Sequence, residues 1–334
     1  MQMPDSLRPE PRASIVAALE RHADNPSAFL ALNRGNKYFS CDDLDGFVCY
    51  QVQGRRWIQL GGPFADPACR EELESRFLAH AHEHGCKVIG AQLQRADAEL
   101  LAALGLTVNQ VGASYAVRLA DFTLRGKRFV RLRNKISRAV RSGLEISEVD
   151  PDKCADEINS INERWLRDKG KHTKELSFLI GEMGGEWQAL RKLYVGKIEG
   201  TAIAYVSYVP VYGSRPGWLH DLSRRLPDSP PGVMEAINAR AIEDMRALEI
   251  PWLHFGFTPF TSLDSKYELP AASRTAARMV RFVADHGDRV YPAKSQLEYK
   301  SKWYPDAVLP EYFAFDGGMS FRSLWSVAKA TNII

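Results

Sequence analysis

The sequence predicts an α/β (α+β) protein in which two similarly ordered units are joined by a basic helix. Three observations carry this. At 334 residues the chain exceeds one typical domain. Strand-like and helix-like stretches recur in the same order in each half, and the halves meet at a run of cationic residues without a single Asp or Glu. The expected division is 1–124 for the first unit, 125–143 for the helix and 144–334 for the second unit, which is expected to carry the active site.

In the first unit, a helix over 13–22 precedes short strands at 28–33, 37–40 and 46–53, separated by Gly and Asp turns. A strand at 55–60 ends at Gly61-Gly62-Pro63. Asp66 and Pro67 then offer an N-cap and a first-turn proline to a helix that runs to His84 and stops at Gly85. Strand 87–93, helix 96–104 and strand 108–119 complete the unit. In the second unit, a helix over 151–169 and a shorter helical stretch lead to strands at 191–198, 201–211 and 217–222. The loop 223–231 feeds a helix over 232–248, followed by strand 252–257, helix 271–286 and a last strand near 311–315. The tail, 319–330, sets Phe321, Leu324, Trp325 and Ala328 along one side. The expectation for it is a helix packed on the last domain, with contact to a membrane surface as the alternative.

The joining segment carries Arg125, Lys127, Arg128, Arg131, Arg133, Lys135, Arg138 and Arg141. At about 100° per residue, Phe129, Leu132, Ile136, Ala139 and Val140 share one arc and most of the cations the other. Gly143 stands where a left-handed C-cap belongs. Such a charge run fits a solvated helix face or a polyanion partner. Its single sign, inside a chain of net charge +3, favours the polyanion, either RNA or an anionic lipid surface.

Five cysteines without a CxxC pair indicate neither a disulfide framework nor a zinc knuckle and fit a reducing cytosol. The opening residues are polar, and no apolar run is long enough to cross a bilayer, so the expectation is a cytoplasmic protein, at most peripheral to the inner membrane. GxSxG, Walker, GxGxxG and HExxH patterns are missing. His80, His82 and His84 read as a solvated cluster at a helix end, with no metal.

Two segments are rich in candidate chemistry. In WLHDLSRRLPDSPPGVM, 218–234, Asp221 follows His220 on a strand, and a loop with Arg224, Arg225 and Asp228 leads to Gly232 at a helix N-terminus, a usual seat for anions. A surface loop with a local ion pair fits the same spacing. Pro230 and Pro231 lack amide hydrogens, so a backbone cradle for a pyrophosphate is poor there. In KSQLEYKSKWY, 294–304, Lys300 and Lys302 face one way if the segment is extended, which suits a phosphate or an oxyanion, or equally a lysine-protected sheet edge.

Five stretches together, FTLRGKRFVRLRNKISRAVRSG, WLRDKG, DLSRRLPDSPPGVM, FGFTPFTSL and the pair HGDRVY with YKSKWYP, resemble the cytosolic catalytic domain of the lysyl- and alanyl-phosphatidylglycerol synthases. The resemblance runs from about 28 to 315. It implies two tandem acetyltransferase-like (GNAT) units and transfer of an aminoacyl group from charged tRNA to a hydroxyl or amine, with neither metal nor CoA. It implies catalytic roles for Asp221, Arg224, Lys300 and Lys302, a pocket that includes His220, Asp228, Gly232, Phe257 and Tyr291, and a basic helix that grips tRNA, not DNA, by its backbone. Asp221 would hold the donor ammonium or take the acceptor proton, Arg224 would bind a phosphate, and the lysines would neutralise phosphate or oxyanion. The acceptor is a lipid of phosphatidylglycerol type or, as in natural-product relatives, a small molecule. A CoA-dependent N-acyltransferase and a non-catalytic RNA or anionic-surface binder are the alternatives.

Overall fold

A computed structural model describes residues 12–169, 177–270, 272–286 and 293–332. Helix α1 (Arg12–His22) is followed by strands β1 (Lys37–Phe39), β2 (Gly46–Gln53), β3 (Arg56–Leu60) and β4 (Phe64–Ala65), helix α2 (Arg70–Glu83), strand β5 (Lys87–Leu93), helix α3 (Arg95–Ala103) and strand β6 (Thr107–Arg118). Helix α4 (Val130–Arg141) leads into β7 (Glu145–Val149), α5 (Ala155–Lys169), β8 (Lys192–Ile198), β9 (Thr201–Val211), β10 (Gly217–Arg225), α6 (Val233–Ala247) and β11 (Trp252–Pro259). Helices α7 (Arg274–His286) and α8 (Ala293–Ser301), strand β12 (Ala307–Phe315) and helix α9 (Phe321–Ala330) complete the described chain.

Every strand among the described residues belongs to one mixed sheet, in the order β1-β2-β3-β5-β12-β6-β11-β10-β9-β8-β7, with β4 paired to β2. From either edge, a run of antiparallel strands leads to one parallel pair, three strands long on the β1 side and four on the β7 side. On one side β3 pairs parallel with β5, on the other β10 pairs parallel with β11, and all other neighbours are antiparallel. Between them lie β12 and β6, each crossed over: β6 follows the first half yet pairs with β11, and β12 follows the second yet pairs with β5. Central β6 is buried along nearly its whole length, as a strand covered on both faces must be. The edge strands are blunted, β1 by its three-residue length and β7 by exposed Glu145 and Glu148.

The core falls into four clusters. One lies between the sheet and α4, α6 and α8; a second fills the seam between the halves around Phe29, Val209, Leu219 and Phe315. The third lies under α2 and α3, and the fourth under α5. Helix α4 anchors to the first cluster by Phe129, Leu132 and Ala139, all buried, while Val140, placed on the apolar arc by periodicity, is exposed. Gly143 adopts the expected left-handed cap, φ +83°.

Three local expectations change. Residues 28–33 form a buried 3₁₀ turn, Ala28–Leu32, instead of a strand, because the run packs into the seam on all sides. The segment 294–304 is helical over Ala293–Ser301, so Lys300 and Lys302 do not share a strand face. Helix α9 packs chiefly on β2 and β3 of the first half, and of the second unit it meets the segment at Ser177, whose hydroxyl donates to the Ala330 carbonyl at 3.1 Å.

Candidate active site

Strands β10 and β11 run together only briefly. Their parallel pairing covers 217–219 against 252–254, after which both strands bulge, β10 between His220 and Leu222 and β11 between His254 and Gly256. Beyond the bulges β10 stays with β9 to Arg225 and β11 stays with β6 to Pro259, so a fork opens at the carboxyl ends of the parallel pair. Crevices of this kind are where open α/β sheets take ligands, and bulges re-aim side chains beside them. The first half has no matching fork, since β3 and β5 pair along the whole of β3.

Lys300 reaches into this fork from α8. Its Nζ donates to the carbonyl oxygens of Gly256 at 2.8 Å and Phe257 at 3.0 Å, and it lies 5.8 Å from the centre of the Tyr115 ring. The side chain is buried, which lowers its pKa to about 7 against the opposing pull of Glu311. An ammonium has three N–H donors, and here two carbonyls accept. The neutral amine, with two N–H groups and one lone pair, matches that pair of acceptors and leaves the lone pair for a third group. Glu311, on β12, accepts from the Ser114 hydroxyl and is itself raised to about 7 by burial.

His220 faces the α6 side of the same fork. Asn238 Oδ1 accepts from the Tyr208 hydroxyl at 2.7 Å and lies 3.1 Å from His220 Nδ1, while Asn238 Nδ2 donates to the Met234 carbonyl at 3.2 Å and to Tyr299 Oη. Since Oδ1 can only accept, the proton belongs on Nδ1 and the lone pair on Nε2. Burial lowers the His220 pKa to about 4, with the Lys300 charge acting in the same direction, so the ring is neutral at physiological pH.

Asp221 is the bulged residue, and its carboxylate is buried in an ion pair with Arg191, both side chains 3% exposed. The Arg191 guanidinium sits 5.0 Å from the Phe29 ring centre, so the pair bridges the seam between the halves. Gly181 closes over it: a Cβ there would collide with the Asp221 carboxylate. That covering segment is held from the first half, by Asn33 Nδ2 donating to the Ile180 carbonyl at 2.9 Å and Gln92 Nε2 donating to the Leu179 carbonyl at 2.9 Å. Burial raises the Asp221 pKa and Arg191 pulls it back. Asp221→Asn leaves a buried guanidinium without its counter-charge and is expected to cost about 3–5 kcal/mol of stability. Urea unfolding of the variant checks this, and any loss of activity must be read beside it.

The remaining candidates are placed separately. Arg224 is buried with its guanidinium 4.8 Å from the Trp165 ring centre on α5. Lys302 Nζ lies 3.4 Å from Glu235 Oε1, which Lys135 of α4 also approaches at 3.4 Å. Asp228 is exposed, 3.8 Å from Arg164. Phe257 is half-buried and serves Lys300 through its carbonyl. Tyr291 lies outside the described residues. Gly232, at φ +95°, precedes α6 where a Cβ would run into the Lys135 carbonyl, so α4 presses on the N-terminus of α6. The fork thus gathers Lys300, His220 and the Phe257 backbone, while Arg224, Lys302 and Asp228 each turn to a partner of their own.

The cations around α4 divide in two. Arg133 turns back to donate to the Gly126 carbonyl at 2.9 Å, and Lys135 meets Glu235. Arg125, Lys127, Arg128, Arg131, Arg138 and Arg141 are exposed, with Arg128 stacked over Phe129 and Tyr304. His80 and His84 stack edge to face beside Trp57, and His82 Nε2 lies 2.7 Å from Asp316.

Residues 16–315 match the family described as phosphatidylglycerol lysyltransferase, C-terminal. The chain belongs to that family. Among relatives of the phosphatidylglycerol lysyltransferase C-terminal family, the phosphatidylglycerol lysyltransferase of Bacillus subtilis (strain 168) is 24% identical over 298 residues, 86% of this chain and 34% of the relative. The lysylphosphatidylglycerol biosynthesis bifunctional protein LysX of Mycolicibacterium gilvum is 26% identical over 315 residues, 90% of this chain and 28% of the relative. The chain therefore spans about a third of the length of these curated relatives. Two solved structures share the fold at a TM-score of 0.78 and 22% identity. One is a C-terminal domain (DUF2156) ascribed to a lysylphosphatidylglycerol synthetase from Agrobacterium fabrum, covering 96% of this chain and 95% of that one. The other is L-PGS from Bacillus licheniformis, covering 99% and 98%.

Arg191, Asn238, Tyr299 and Glu311 are partners of the site that the sequence did not single out. Glu311 alone left a trace, as a carboxylate in a strand otherwise apolar over 312–315. Arg191 entered only as the first residue of the expected strand 191–198.

Proposed function

We propose that this domain moves an aminoacyl group, lysyl first among candidates, from the 3′ end of aminoacyl-tRNA to a hydroxyl of phosphatidylglycerol. The observation that carries the proposal is the buried Lys300 amine, poised near neutrality in the β10–β11 fork of a chain whose family is named for that transfer. An aminoacyl ester is already activated, so the reaction needs orientation and the movement of one proton. The acceptor oxygen forms its bond to the aminoacyl carbonyl carbon as its proton passes to the Lys300 amine. The ester bond to the ribose oxygen then breaks, and the new ammonium returns the proton to that leaving oxygen. While charged, Lys300 is the cation beside the tetrahedral oxyanion.

The exposed arginines of α4 supply non-specific contacts to the acceptor-stem phosphates. We also read the two halves as tandem acetyltransferase-like units, 1–124 and 144–334 about the helix at 125–143, a reading supported by the single parallel strand pair on either side of the crossed β6 and β12. CoA fits the second unit badly: Pro230 and Pro231 offer no amide, and α4 sits against the α6 N-terminus where a pyrophosphate would bind.

Incubation with radiolabelled lysyl-tRNA and vesicles containing phosphatidylglycerol, followed by lipid extraction, tests the proposal. Label is expected in the lipid phase. Label that stays on tRNA with lipid yet moves to a soluble amine reassigns the acceptor, and transfer only from acetyl-CoA overturns the reading.

A further inference from the structure

Helix α9 holds its aromatic face away from the protein. Phe321 is 77% exposed and Trp325 46%, their rings stacked 5.9 Å apart, while Ser323 and Ala330 turn inward. Exposed aromatics in contact with one another mark an interaction surface more often than a solvated one. Beside them lies a groove of about 650 Å³ whose lining includes Arg55, Arg56, Lys87 and Arg322 together with both rings. These cations come from the β2–β3 turn, the start of β5 and α9 itself, and no carboxylate is among the groove's described lining residues. Lys329 adds an ammonium 6.0 Å from the Trp325 ring centre. Asp316, just ahead of α9, is held by His82.

We propose that α9 and the β2–β3 turn form a docking surface for an anionic phospholipid bilayer, with Phe321 and Trp325 entering the headgroup boundary and Arg55, Arg56, Lys87 and Arg322 meeting lipid phosphates. The pairing of stacked rings with a rim of one charge sign decides the occupant. Interfacial helices carry that composition because the rings gain from the apolar boundary while the cations gain from the negative surface. A second copy of this chain would bring the same cations face to face across a two-fold contact. A nucleic acid would satisfy the cations and leave Phe321 and Leu324 in water. The surface lies on the first half and uses none of the residues of the fork, so it stands independently of the transfer chemistry.

The test is flotation of the full chain, without tRNA, on vesicles of phosphatidylcholine alone or of equal parts phosphatidylcholine and phosphatidylglycerol. Binding to the mixed vesicles and its loss in high salt are expected. Phe321→Ser with Trp325→Ser should weaken it roughly tenfold or more, and Arg55→Glu with Arg56→Glu should weaken it by at least as much and abolish the preference for anionic lipid. Both pairs are exposed or half-exposed, so unchanged circular dichroism accompanies these losses, and transfer to a detergent-dispersed short-chain phosphatidylglycerol is kept. Equal flotation on both vesicles overturns the proposal, as do variants that float like the parent. A Phe321→Ser, Trp325→Ser pair that splits a dimer in gel filtration while flotation persists assigns the face to self-association instead. Binding abolished only by reversing Arg131 and Arg138 moves the lipid contact to α4.

Discussion

Lys300→Met is expected to lower turnover of aminoacyl transfer by a factor on the order of 10² or more, with tRNA affinity retained. The argument is geometric before it is electrostatic. The Gly256 and Phe257 carbonyls fix Nζ in the fork, and burial brings its proton within reach of neutral pH. Methionine keeps most of the volume but strands two buried carbonyls, at a cost of about 1–3 kcal/mol in stability, small enough to measure separately by denaturant unfolding. The pH profile distinguishes a base from a structural lysine. A base acts only when deprotonated, and this one loses its proton near pH 7, so kcat/KM should climb about tenfold per pH unit below that point and flatten above it. Glu311→Gln removes the carboxylate that holds the Lys300 pKa up, so the rising limb should move to lower pH. A profile that falls with rising pH, or a Lys300→Met enzyme with full turnover, would sink the assignment.

Reversing charge at Arg131 and Arg138 should raise KM for aminoacyl-tRNA by roughly 10- to 100-fold at low salt while leaving turnover at saturation unchanged. It should also shrink the slope of log affinity against log salt by about 2. Both side chains are exposed on α4, and neither has a described ion-pair partner to lose, so the protein should fold as before. Arg133→Glu is the contrasting variant: its guanidinium caps the Gly126 carbonyl, so stability should fall along with binding. Filter binding across a salt series, beside thermal melts, separates the two effects. An unaltered slope in the Arg131, Arg138 double variant would remove tRNA from α4.

Much of this was legible in the chain because it rests on local pattern. The period of 3.6 in 128–141 fixed the amphipathic helix, and Gly143 its end. Alternation and turn residues located most strands. What failed locally did so where tertiary burial overrode the pattern: the apolar run 28–32 looks like a strand but is enclosed by both halves, and 299–303 alternates Lys with Tyr, Ser and Trp yet lies at the end of a helix, 293–301. Lys300, His220 and Phe257, singled out in the sequence, meet at the fork, whereas Arg224, Lys302 and Asp228 do not, and this arrangement was hidden. Whether Asp221 stood free depended on Arg191, thirty positions away, and the Lys300 environment depended on carbonyls of a bulge that no side-chain pattern encodes.

The crossing of β6 and β12 has a mechanical consequence. Cutting the chain at the basic helix would leave β5 without β12 in the first piece and β11 without β6 in the second, each a naked hydrophobic border in the middle of what had been a sheet. Neither fragment should stay in solution on its own, although co-expressed pieces should find one another. Heating the intact chain should give a single melting transition in spite of its several cores, because neither half can come apart without tearing the strand it lends to the other.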